Sequence, residues 1–216
     1  LHCVAGALEV AAVVVARPEL DRERLAQALK ISQTSIDDVK QIVGGILLHA
    51  RESAAYHLER VDVNAVIRQE IDFFKIDPLF RDHVRVETRL SPTPLTVLGN
   101  RIQVKQMLDN IIKNAIDAME ESFEKTLDIR TQAVDSTVLV TIADTGSGIA
   151  PEHLDKVMSP DFSTKPPGKG TGLGMASVCT MVKAYSGKIE IDSHLGRGTS
   201  VTLTLPAAAQ GPGKTI

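Results

Sequence analysis

Two clusters of glycine constrain this chain more than any other feature. Asp144-Thr-Gly-Ser-Gly-Ile149 ends an alternating apolar run, and Gly168-Lys-Gly-Thr-Gly-Leu-Gly174 leads into a helical one. Glycine lets a backbone approach a phosphate closely, and the amides of a glycine-rich turn can donate to it. The intervening residues 150–167 are polar, contain prolines and follow no clear period, the pattern of a loop folding over a nucleotide. Gly168, Gly170, Gly172 and Gly174 can open room for a triphosphate at a helix N-terminus, which favours anions. The Gly-x-x-x-x-Gly-Lys-Ser/Thr phosphate loop is absent, and no strand directly precedes Gly168 as a dinucleotide fold requires. Lys165, in Phe162-Ser-Thr-Lys165, can reach a phosphate as a mobile charge. Taken alone it reads nearly as well as a solvated loop lysine.

A long periodic helix lies upstream, over residues 101 to about 122. Asn110 and Asn114 are spaced i, i+4 and share a face with Gln103 and Asp117, while Met107, Ile111, Ile112 and Ile116 supply apolar faces. Asparagine is a poor helix former, so two in one helix call for a reason. Amide oxygens suit a hard cation or its hydration water, and magnesium usually keeps several waters beside phosphate oxygens. The bland alternative is a pair of surface polar residues. Asp144 closes the strand Val138–Ala143. A carboxylate there can accept from the exocyclic amine of adenine, whereas the same edge of guanine presents an acceptor. Its bland alternative is a turn-forming Asp before glycine.

Residues 1–56 read as two antiparallel helices joined at Arg17-Pro-Glu-Leu-Asp21, with Asp21 capping the second. Leu25, Leu29, Ser32, Ile36, Val39, Val43, Ile46 and Ala50 follow a heptad seam. One hairpin buries such a seam poorly, and pairing two in a dimeric four-helix bundle buries both. Residues 51–60 are polar and read as a hinge. Beyond them the expected order is a strand and cap at Val61–Asn64, a helix Ala65–Lys75, and strands at Val84–Thr88 and Leu95–Val97. After the long helix come strands Leu127–Thr131 and Thr137–Ala143, a helix Thr171–Tyr185 ended by Gly187, and strands Lys188–Asp192 and Thr199–Leu205. Residues 207–216 read as a flexible tail. The result is an α+β sandwich, a mixed sheet with helices on one face.

Composition narrows the function classes. A net charge of −3 without a basic stripe argues against a nucleic-acid partner, and 3% aromatics without Trp against base-stacking platforms. Cys3 and Cys179 form no metal spacing and read as reduced thiols of a cytoplasmic protein. Leu1–Ala16 is apolar but shorter than the roughly 20 residues of a membrane span. The opening inside an apolar stretch suggests an excised fragment, so any membrane anchor is expected outside this sequence.

In this order the motifs resemble the ATP-binding boxes of sensor histidine kinases, within the superfamily shared with gyrase, mismatch-repair and heat-shock chaperone ATPases. The matching boxes are Asn110–Met119, Asp144–Ile149, Met158–Lys165, Gly168–Gly174 and Gly196-Arg-Gly-Thr199, within residues 61–206. The resemblance implies a Bergerat-type α/β sandwich behind a helical dimerisation hairpin. It implies ATP and Mg²⁺, with Asn114 on the metal, Asn110 able to reach it through water, Asp144 on adenine and Thr199 beside the adenine pocket. The remaining implied ATP contacts are Lys113 and Asp117 on the helix, Gly146, Gly148 and Ile149 after the strand, Phe162, Thr164 and Lys165 in the loop, and Gly168, Gly170, Thr171, Gly172, Leu173 and Gly174 beyond it. Asn-Ala-x-Asp-Ala and Phe-Ser-Thr-Lys look like the nitrogen-regulation branch. Met158 stands where the family usually has Phe, and Asp161 precedes the retained Phe162.

The implied partners are a second copy of the chain and a response-regulator receiver domain. The implied reaction moves the γ-phosphoryl to a bundle histidine and then to the regulator's Asp. The family's acceptor His is followed by an acid, with Thr or Asn four residues on. His2 is followed by Cys3, with Gly6 four residues on, so the acceptor is expected upstream of Leu1, with His2 as the lesser candidate. Two other readings compete. A gyrase-type ATPase would place a water-activating Glu where Asn110 stands, a poor base. A degenerate kinase would bind ATP and a partner without transferring phosphoryl.

Overall fold

The computed structural model describes residues 58–160, 162 and 172–209. The expected helical hairpin of residues 1–56, with His2 and the heptad seam, lies outside them, as do Thr164, Lys165, Gly168, Gly170 and Thr171.

Strand β1 (Glu59–Asp62) runs into helix α1 (Val63–Phe74), where the Asp62 carboxylate accepts from the Asn64 amide and caps the helix. Val63, Val66, Ile67 and Ile71 turn inward at helical spacing. Helix α2 (Pro78–His83) was not anticipated from the sequence, although Asp77 caps it and Pro78 sits where a missing N–H costs nothing. Strands β2 (Arg85–Arg89) and β3 (Thr96–Gly99) follow. Helix α3 (Arg101–Ala118) is capped by Asn100, whose side chain accepts from Ile102 N and Gln103 N. It stops at Ala118, short of the expected residue 122, where the Ala118 carbonyl takes the Ser147 N–H at 2.9 Å instead of another helical turn.

Strands β4 (Thr126–Val134) and β5 (Thr137–Asp144) form a hairpin with Asp135 at φ 51° in its two-residue turn. A short helix α4 (Pro151–Leu154), a single turn within the stretch expected to be loop, precedes α5 (Leu173–Ala184). Helix α5 does not end on a left-handed Gly187. Ser186 takes that conformation at φ 54°, and the Gly187 and Ser186 amides bond back to Val182 O and Lys183 O. Gly187 is constrained by space: a Cβ there would meet Thr204 O at 2.6 Å. Strands β6 (Lys188–His194) and β7 (Gly198–Pro206) complete the fold.

The main sheet has the order β2-β4-β5-β7-β6, with β2 and β4 parallel and the other pairs antiparallel, so it is mixed as expected. Alternation sorts its two faces. Leu127, Ile129, Val138, Val140, Ile142, Val201, Leu203 and Leu205 are buried on one, and α3 packs over β5 and β7. Asp128, Arg130, Thr141 and Thr202 lie on the other, with Thr141 and Thr202 hydroxyls 3.2 Å apart. The molecule is α+β, with helices on one face of the sheet.

The small sheet pairs β1 with β3 antiparallel, so Glu59 and Arg60 belong to a strand opposite Gly99 and Leu98 rather than to a hinge. Ala207 bridges to Val97 and the Ala208 amide bonds Thr96 O at 2.7 Å, so the first residues of the expected tail are fixed to this sheet. A buried polar knot ties α1 and the connection between β2 and β3 to β4. Asn64 donates to Ser91 O and Thr93 O, Thr131 Oγ1 donates to Asn64 Oδ1 at 2.7 Å, and Ser91 N donates to Thr131 Oγ1 at 3.0 Å.

Candidate functional site

The site forms where β5, β6 and β7 end together beside the C-terminus of α3. Asp144 continues the inward row Val138, Val140, Ile142 and so turns toward the helices. Its Oδ1 accepts from Gly146 N at 2.8 Å and Thr199 N at 3.3 Å. Among the described residues no bond falls on Oδ2. Burial pushes the Asp144 carboxyl above its usual range, and the two amide bonds oppose that rise.

The glycines around Asp144 are required by contact. A Cβ at Gly146 would sit 2.7 Å from the Ala118 backbone, which brings the glycine turn against the end of α3. Gly148, at φ +68°, leaves no room for a side chain beside His194 O. Ile149 N donates to Ser193 Oγ at 2.8 Å, and Gly196 N to Ser147 O at 2.7 Å. Asp144, Gly146 and Thr199 are therefore bonded together, Ile149 joins them through Ser193, and Gly148 packs against His194 beside them.

Helix α3 contributes the two asparagines with different surroundings. Asn110 is 5% exposed and its amide donates to Gly174 O at 3.3 Å, tying α3 to the first turn of α5. Asn114 is half-buried, one turn before Ala118, and its side chain bonds to none of the described residues. Lys113 pairs with Asp109 at 3.0 Å, and Asp117 is exposed near the helix end. Gln103 accepts from the Tyr185 hydroxyl at 3.0 Å, away from the Asp144 end. After the glycine turn, Phe162 lies 5.3 Å from His153, ring to ring. Gly172 has φ +69°, and Leu173 and Gly174 open α5. Among the described residues no three His, Cys, Asp or Glu converge on a metal site. No described helix is long and apolar enough to cross a membrane.

Sequence reasoning missed Ser193 and Tyr185. Ser193 had a signal: it interrupts the inward row Ile189, Ile191 at the sheet end. Tyr185 stitches α5 to the cap of α3 through Asn100 N at 2.8 Å.

This arrangement has known counterparts. Residues 99–209 match the profile of the histidine kinase-, DNA gyrase B- and HSP90-like ATPases. The chain belongs to that family. Sporulation kinase D of Bacillus subtilis is 32% identical over 185 residues, which is 83% of this chain and 34% of that protein. Sensor histidine kinase ZraS of Salmonella typhi is 29% identical over 164 residues, 76% of this chain and 34% of that protein. The chain thus spans about a third of the length of these curated relatives. Among solved structures, the catalytic domain of histidine kinase ThkA has a TM-score of 0.61 at 25% identity, covering 69% of this chain and 97% of that one. Full-length ShkA in complex with AMPPNP shares the fold at TM-score 0.69 and 24% identity, covering 97% of this chain and 44% of that one.

Proposed function

We propose that this chain is the catalytic core of a cytoplasmic sensor histidine kinase of the nitrogen-regulation-like branch. It binds ATP with Mg²⁺, moves the γ-phosphoryl to a histidine of a dimeric helical bundle, and passes it to the Asp of a response-regulator receiver domain. The observation that carries the reading is the Asp144 carboxylate. Two backbone amides hold one oxygen and leave the other to accept from the 6-amino group of adenine, one helical turn and a glycine turn away from Asn114. The kinase names of the relatives support it.

The residues present fit the ligand. Asn114 has an uncommitted amide oxygen for Mg²⁺, which when bound neutralises phosphate charge. The glycines before α5, with Lys165, lie in the sequence where phosphates are to be held. A bundle imidazole nitrogen attacks the γ-phosphorus, the bond to the β,γ-bridging oxygen breaks, and ADP departs. The gyrase-type alternative is weakened because Asn110, in the place of its water-activating Glu, is buried and bonded to Gly174 O.

The test is phosphoryl transfer from γ-labelled ATP and Mg²⁺, to the chain alone and to the chain mixed with a bundle segment carrying an acceptor histidine. Acid-labile label only in the mixture is the expected result. Label on the chain alone that disappears in His2→Ala makes His2 the acceptor. ATP binding with no label in either case favours a binding module over a kinase.

A further inference from the structure

The row that ends in Asp144 continues across the sheet. On β7 the inward residues Leu205, Leu203 and Val201 stop at Thr199, and on β6 Ile189 and Ile191 stop at Ser193, directly opposite Thr199. Three strands thus carry apolar residues inward until their last position at this end, where each places an oxygen: Asp144, Thr199 and Ser193.

The bonds fix which way these oxygens face. Ser193 Oγ lies 3.1 Å from Gly198 O, a carbonyl that can only accept, so the single Ser193 proton is committed there. Ser193 Oγ also takes the Ile149 N–H at 2.8 Å and lies 2.9 Å from Thr199 Oγ1. With the serine proton spent, Thr199 must donate in that pair. Its remaining capacity toward a ligand is then as an acceptor, like the Asp144 carboxylate beside it.

We infer that Ser193 is a positioning residue that sets base specificity by holding the Thr199 hydroxyl as an acceptor. The end of the sheet becomes an acceptor-only row, which welcomes a purine bearing an amino donor at its 6-position and rejects one bearing a carbonyl. The inference rests on the nucleotide reading above and extends it to a residue that never needs to touch the base. Without Ser193 the threonine hydroxyl can rotate and donate, and a 6-oxo purine is no longer refused.

The experiment compares Mg-ATP with Mg-ITP binding, since inosine carries the 6-oxo group without guanine's 2-amino group. In Ser193→Ala the ATP-over-ITP preference is expected to fall about 10-fold, within the range for losing a buried polar discrimination. Ser193→Thr, which keeps the hydroxyl, should retain it. Should Ser193→Ala fail to fold, Thr199→Val removes the other partner and must erode the same preference. Equal factors lost for ATP and ITP would make Ser193 merely structural and overturn the inference, as would an unchanged preference in Thr199→Val. A wild-type chain that binds neither nucleotide sinks the nucleotide reading itself.

Discussion

Gly198 lies against the main-chain carbonyl of Asp144 so closely that a Cβ added to it would overlap the carbonyl oxygen. Its φ of +107° is also foreign to side-chain-bearing residues. Gly198→Ala should therefore cost about 3 kcal/mol or more, adding a clash to backbone strain. Gly196, at φ +75° with nothing within 4 Å of an added Cβ, is the control. Gly196→Ala should cost only about 1 kcal/mol, the ordinary left-handed penalty. Chemical denaturation of both variants checks the contrast, and equal costs would contradict it.

Asp144 should couple pH to stability and to binding in opposite senses. Burial raises its folded pKa above the ordinary 3.8. A carboxyl that holds its proton more tightly when folded contributes stability below the unfolded value, and that contribution is lost as pH rises through the folded one. Ionising Asp144 therefore weakens the fold across the window just above 3.8, and Asp144→Asn should remove that dependence. ATP affinity should run the other way, falling as pH drops into the same window, because an amino donor prefers the ionised form. Thermal unfolding and nucleotide titration against pH test both arms. A wild-type stability curve parallel to that of Asp144→Asn through the window would refute the first.

The main strands and helices were legible because each obeys one period: two for β5 and β7, which bury Val138, Val140, Ile142, Val201, Leu203 and Leu205, and 3.6 for α3. What escaped was tertiary. The end of α3 at Ala118 is set by an amide of Ser147, far along the chain, and no local signal announces it. Helices α2 and α4 are too short to show a period, though Asp77-Pro78 and Ala150-Pro151 mark their starts. In the site, Asp144 and its glycines stood out by motif, whereas Ser193 looked like any strand serine until the register put it opposite Thr199.

The polar knot between α1 and β4 gives a prediction independent of any ligand. Thr131 is buried and uses one hydroxyl twice, donating to Asn64 and accepting from Ser91 N. Thr131→Val keeps the shape but leaves a buried amide and an amide oxygen without partners. The expected loss is about 1–3 kcal/mol. Urea unfolding at constant m-value would record it, and a neutral result would mean that water enters the knot.

Asn110 and Asn114 stand one turn apart on α3 and should fail in opposite ways. Asn110 is buried and donates to Gly174 O, so Asn110→Ala leaves that carbonyl without this donor and opens a gap between α3 and α5. Its signature is lost stability of about 1–2 kcal/mol. Asn114 is half-buried with no side-chain bond to the described residues, and alanine is the better helix former. Asn114→Ala should leave the apo protein as stable as before, or up to about 0.5 kcal/mol more so. It should cost the Mg²⁺-dependent part of ATP affinity at least about 10-fold, the loss of one metal ligand. ATP titrations with Mg²⁺ and with EDTA separate the two effects. If Asn114→Ala weakens binding equally in both, the residue does not hold the metal. If it unfolds the protein, the residue is part of the core rather than the site.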